Sequence, residues 1–214
     1  MGRGSSGGGG NLKDGGGGIN PANIHNERDL ISERERKQAE VDDVLSVARD
    51  IHDEYGVDVG QFNLAEIGGK DSSTMAYSDG ENIGFNSKYF DSVNIQNAYD
   101  ASVQSGFHPS RGNKSAMQAV AAHEYGHVLS EKAAVKLGFN GVNGMDAASK
   151  VVVERAMAKT NYKGSMKMAG KISGYAKKSN AECVAEAVAD VYCNGKNASA
   201  ESRAIVKELR SILK

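Results

Sequence analysis

Residues 115–129 read Ser-Ala-Met-Gln-Ala-Val-Ala-Ala-His-Glu-Tyr-Gly-His-Val-Leu, and the two histidines in this run constrain the fold more than any other feature. The stretch is rich in alanine and other good helix formers. Asn113 or Ser115 is placed to cap its start. On a helix, His123 and His127 stand one turn apart on the same face, so both imidazoles reach a single metal ion. Glu124 follows the first histidine directly, where a carboxylate can take a proton from water at the metal's open position. Met117, Val120, Ala121, Tyr125, Val128 and Leu129 are spaced to form a buried face. Gly126 costs ~1 kcal/mol against alanine inside a helix. Its presence is better explained if another segment or a substrate approaches closely there.

A catalytic zinc site of this kind takes three protein ligands and a water. Cys183, Cys193, His25, His52 and His108 are all available as the third, but no histidine follows His127 closely. Carboxylates on a second helix are better candidates. Residues 180–194 read as that helix, with Asn180 as N-cap and Gly195 as its stop. Glu182, Glu186 and Asp190 are spaced by four and line one stripe, while Val184, Ala187, Val188 and Val191 can pack elsewhere. Three carboxylates on one stripe repel each other, and no lysine interleaves. A divalent cation with histidine ligands offsets that repulsion; a solvated acidic face is the plainer alternative. In the metal reading, Glu182 is the third ligand. Glu186, one turn on, accepts from the far nitrogen of a ligand histidine and sets its tautomer. Asp190 either joins the site or is simply exposed.

The HEYGH run, then Ile172-Ser173-Gly174-Tyr175-Ala176, then Asn180-Ala181-Glu182 with Ala185-Glu186-Ala187, resembles the zincin-like peptidase domain of the anthrax lethal factor type. It is more similar still to related domains of bacteriophage minor head proteins and bacterial toxins. The resemblance covers roughly residues 60–214. It implies zinc held by His123, His127 and Glu182, with Glu124 as general base, Glu186 behind the ligands, and Tyr175, seven residues before Glu182, stabilising the oxyanion. A phenol beside zinc can serve that purpose in its own right, by donating to negative charge developing on a carbonyl oxygen; a buried loop aromatic would look the same in sequence.

The implied fold is α+β: a mostly helical zincin-like domain over 57–214 with a small mixed sheet, preceded by a charged helix over 23–56 and a disordered Gly-rich tail over 1–22. The tail holds ten glycines in its first twenty residues. Within the charged helix, Leu30, Ile31, Val41, Val44, Leu45, Val47, Ala48 and Ile51 supply the apolar side, and His52 reads as structural. Residues 57–67 alternate like a strand. Thr74–Tyr77 and Asn82–Asn86 flank a turn at 78–81, which is a hairpin pattern. Ile83–Asn86 is nominated as the edge that binds an extended peptide, with an ordinary core hairpin as the alternative. Segment 90–112 reads as loop and short helix. Asp146–Thr160 reads as a helix with Val151, Val152 and Met157 inward, 161–179 as a Gly-, Ser- and Lys-rich segment carrying Tyr175, and Ser199–Leu213 as a closing amphipathic helix.

Net charge is −1, which exerts no global pull toward nucleic acid or membrane. No apolar run approaches the ~20 residues needed to span a bilayer, and the Gly- and Ser-rich N-terminus does not read as a signal peptide. Cys183 and Cys193 lie about 15 Å apart along one helix and cannot pair within it. The chain is therefore expected to be made in a reducing cytoplasm, with a virion-associated destination open. Lysines 159, 163, 167, 171, 177 and 178 read as solvated surface near the site. The expected activity is hydrolysis of a protein or peptide substrate, in a phage head or another particle, with zinc as the cofactor. Two other readings are an injected toxin-type peptidase and a non-enzymatic virion or scaffold component with a structural or vestigial zinc site.

Overall fold

In a computed structural model, the protein is described over residues 27–69, 72–141 and 143–214, with side chains from residue 37 onward. The Gly-rich tail, the first four residues of the charged helix, and the side chains of Leu30 and Ile31 lie outside that range. The rest is mostly helical with a small mixed sheet, as an α+β chain should be.

Helix α1 (Glu27–Tyr55) buries Val44, Val47, Ile51 and Tyr55, whereas Leu45 is exposed. It ends at Gly56, whose positive φ of 66° reverses the chain. His52 accepts the structural role expected of it: its Nδ1 lies 2.9 Å from the Val57 carbonyl oxygen, fastening the turn.

Three strands follow: β1 (Phe62–Ala65), β2 (Ala76–Ser78) and β3 (Ile83–Asn86). The hairpin joins β2 to β3 antiparallel, with Ala76 opposite Phe85 and Ser78 opposite Ile83. Asp79 closes its turn by accepting the Glu81 and Asn82 backbone N–H groups. β1 pairs parallel with the other side of β3, Phe62 opposite Ile83 and Ala65 opposite Asn86, so the order is β1-β3-β2. Ile83–Asn86 is therefore the central strand, not the edge. All four of its residues are buried, as a strand with a neighbour on each side requires. Phe62, Phe85 and Phe90 pack as an aromatic cluster at centroid distances of 5.6–6.5 Å.

The segment after the sheet holds a fuller helix than its sequence suggests, α2 (Ser92–Gln104), started by Asp91, which accepts from Val93 and Asn94. α3 (Ala116–Leu137) begins at a capping box in which Ser115 and Gln118 satisfy each other's backbone N–H groups. It ends at Gly138, with φ 77°. Its predicted face is buried in full, and most of its remaining surface is too. α4 (Gly144–Thr160) turns Val152, Val153 and Ala156 inward, while Val151 and Met157 are only half-buried. A short α5 (Ser165–Ala169) leads to a 3₁₀ turn at Tyr175–Lys177. α6 (Asn180–Asn194) is capped by Ser179 rather than Asn180, because the Ser179 hydroxyl accepts the Glu182 N–H. α7 (Ala200–Leu213) closes the chain, capped by Ser199.

α6 runs through the middle of the helical layer and packs on α3, α4 and α7. It crosses α3 at Gly126, where a β-carbon would meet the Ala185 Cα at 2.7 Å. That close approach is what the mid-helix glycine provides. No described helix is long and apolar enough to cross a membrane.

Candidate metal centre

The α3–α6 crossing brings the two sequence motifs together. His123 Nε2 lies 3.2 Å and His127 Nε2 3.4 Å from Glu182 Oε2. These three residues form a group able to hold a metal ion, their ligand atoms all within 4.8 Å of one another. Neither cysteine and none of the other described histidines belongs to it.

Glu186 stands behind the ligands and is 1% exposed. Its Oε1 accepts from His123 Nδ1 at 2.8 Å. That contact places the hydrogen on Nδ1 and leaves Nε2 to face Glu182 with a lone pair. Two acceptor atoms thus face each other beside the His127 ring, and Glu182 Oε2 is buried without a hydrogen-bond partner. Such an arrangement demands positive charge between them. In the protein alone that charge is a proton. Burial works to strip it from His123, but Glu182 and Glu186 outweigh burial and hold the ring's pKa well above its ordinary value. Burial likewise raises the Glu182 carboxyl, and the two histidines more than reverse it, taking its pKa well below the usual carboxylate range. A site that holds a proton this way, with two imidazoles and a carboxylate within one ion's reach, fits a divalent cation.

Glu124 is buried beside this group, and burial raises its pKa against the opposing pull of His123 and His127. The Tyr175 ring lies 5.7 Å from that of His123. Its position is set by backbone bonds from Gly174 N to Gly106 O (2.8 Å) and from Tyr175 N to Phe107 O (2.9 Å). Burial, with the Glu182 charge nearby, pushes the phenol's pKa up, so it stays a donor across the neutral range. Lys178 lies over the Tyr175 ring at 4.4 Å.

His123, Glu124, Tyr175 and Lys178 share one cleft of about 230 Å³, lined also by Phe107, Val120 and Glu186. Residues Ser73–Ala76 line the same cleft, so the edge strand beside the site is β2.

Two members of the site carry no sequence signal that assigns their role. His108, in sequence only a spare candidate ligand, has its Nδ1 2.9 Å from the same Glu186 oxygen. Ser173 donates to the other Glu186 oxygen at 2.6 Å and accepts the Ala176 N–H. Burial raises the Glu186 carboxyl, and the hydrogen bonds from His108 and His123 more than reverse it, bringing its pKa down to about 2. Ser173 lay inside the Tyr175 motif, but nothing local pairs His108 with a glutamate 78 residues away. Asp190, the third member of the stripe, does not join the site: it accepts from Asn194 Nδ2 and from Ser199 N, tying α6 to the start of α7.

No protein-family model matches the chain, and neither the curated proteins nor the solved structures include one significantly similar to it.

Proposed function

We propose that this chain is a zinc-dependent endopeptidase. The observation that carries the reading is a three-residue metal group beside a cleft, with the buried Glu124 carboxylate and the Tyr175 phenol lining the same space. Structural zinc sites close all four positions with protein ligands, whereas hydrolytic ones use three. Among the described residues the group has three. That favours a hydrolase over a scaffold with a structural metal.

His123, His127 and Glu182 would hold the zinc, with Glu186 fixing the His123 tautomer. When bound, the metal supplies Lewis acidity to a scissile carbonyl and lowers the pKa of a water. Glu124 takes a proton from the attacking water and returns it to the departing amine, a task suited to a carboxyl whose pKa burial has raised. Tyr175 donates to the oxyanion as the carbonyl carbon becomes tetrahedral. The peptide would lie in this cleft, alongside Ser73–Ala76 and Tyr175. The likeness to phage minor head domains makes a protein of such a particle the first substrate to test.

The test is metal analysis together with proteome-wide cleavage mapping, wild type against Glu124→Gln. The variant is expected to keep one zinc per chain and lose on the order of 10²–10⁴-fold in rate. Cleavage by the variant at the wild-type rate, or a purified wild type that neither binds zinc nor cleaves any protein, would overturn the proposal.

A further inference from the structure

His108 is held more firmly than support of Glu186 alone would require. Its ring stacks on Tyr99 at 5.5 Å with 12° between planes. Phe107 and Tyr175 press on it at 5.1 Å each. Tyr99 is itself fixed, its hydroxyl donating to the Pro109 carbonyl at 3.1 Å. The ring therefore has one orientation, with Nδ1 committed to Glu186. A carboxylate can only accept, so Nδ1 carries the hydrogen, and Nε2 of the neutral ring is an acceptor. That nitrogen has no protein partner among the described residues, and it is not one of the buried polar atoms left unsatisfied. His108 also lies outside the metal-holding group while lining the same cleft as Tyr175 and Glu124.

An extended peptide brings an N–H as well as a C=O into the cleft for nearly every residue, and each needs a partner once water is displaced. Here Tyr175 offers a donor and His108 an acceptor, their rings 5.1 Å apart. We propose that His108 Nε2 accepts a hydrogen bond from a backbone N–H of the peptide substrate next to the scissile bond. The proposal rests on the peptidase reading and deepens it: the cleft binds a peptide unit as a paired C=O and N–H, and selects against proline or N-alkylated residues at one position.

The experiment uses the full chain and the peptide it cleaves fastest, resynthesised with single N-methyl groups at successive backbone nitrogens. Two variants serve. His108→Asn keeps a donor for Glu186 and lacks an atom at the Nε2 position; His108→Phe keeps the stack on Tyr99 and removes both nitrogens. With wild type, one N-methyl position should cost about tenfold in kcat/KM, the size of one hydrogen bond. In either variant that still binds zinc, the parent peptide should lose about as much, and methylation there should cost nothing further. A role confined to bracing Glu186 would change zinc affinity and leave the methylation pattern of wild type in place. If the methylation cost persists in the variants, or no single position is sensitive in wild type, the proposal is overturned. If wild type cleaves nothing, or Glu124→Gln cleaves as well as wild type, the peptidase reading itself has failed.

Discussion

Gly126→Ala tests whether the site depends on how closely two helices approach. An alanine β-carbon at 126 would sit 2.7 Å from the Ala185 Cα and 3.3 Å from both its Cβ and its carbonyl oxygen. Carbon atoms pack at about 3.5–4.0 Å, so the crossing must open by roughly 1 Å. The closest obstacle is backbone on a buried helix, which no rotamer change can move. His123 and His127 ride on one side of that crossing and Glu182 on the other. Zinc sites hold their bond lengths to within about 0.2 Å, so an opening of that size is several times what the ligand set tolerates.

Two opposing terms set the stability change. Alanine gains ~1 kcal/mol of helix propensity over glycine, while overpacking a core costs about 1–3 kcal/mol. The net expectation is a loss of up to about 2 kcal/mol, read as a melting temperature lower by a few degrees. The sharper readout is zinc affinity by competition with a chromophoric chelator, which should fall by on the order of tenfold or more. If the variant melts higher than wild type, as propensity alone dictates, and binds zinc as tightly, then the close approach does not set the ligand geometry and the reasoning fails.

The acidic stripe should divide cleanly by mutation. Glu182→Ala is expected to abolish tight zinc binding, whereas Asp190→Ala should cost about 1 kcal/mol by freeing the Ser199 N–H and leave zinc affinity unchanged; equal metal loss in both would refute the assignment. Tyr175→Phe should retain zinc and lose about 10²–10³-fold in peptide cleavage, and wild-type turnover would remove the phenol from the mechanism. Metal uptake should also release a proton. The Glu182 and Glu186 carboxylates outweigh burial and raise the His123 pKa, so the metal-free ring is charged at neutral pH and zinc must displace that proton. Affinity should therefore rise with pH by up to about tenfold per unit, and calorimetry in buffers of different ionisation enthalpy should count the proton. A pH-independent affinity would mean that His123 is neutral before the metal arrives.

What the sequence makes legible here is what lies close along one helix. His123, Glu124 and His127 are related by helical spacing alone, as are Glu182 and Glu186, so their common faces follow from 3.6 residues per turn. That the two faces meet was hinted by Gly126, a residue with no reason to be mid-helix except proximity. The lateral order of the strands was not legible. Alternation says which side chains turn inward, and it is silent on whether the strand before a hairpin joins its first or second arm. β1 joined the second, in parallel, and so buried the strand expected at the edge. α2 is longer than its sequence suggests because Val93, Asn94, Asn97 and Ser102 are weak helix formers, while its Asp91 cap and the burial of Ile95 and Tyr99 decide the matter in three dimensions.

The acidic stripe shows most clearly where periodicity stops being informative. Spacing by four places Glu182, Glu186 and Asp190 on one side of α6, but what each carboxylate does depends on what stands opposite. Glu182 meets two imidazole nitrogens. Glu186 meets His123, His108 and Ser173, each from a different segment. Asp190 meets the first turn of the next helix. A solvated acidic face would need no such partners, and Glu186 and Asp190 are almost wholly buried. Their mutual repulsion is tolerated because each is matched separately by donors. Glu186 is the most heavily matched: through it the ligand helix, the Tyr175 turn and the His108 segment are fastened to one carboxylate. Moving any of the three should therefore disturb the metal group as well as the cleft wall.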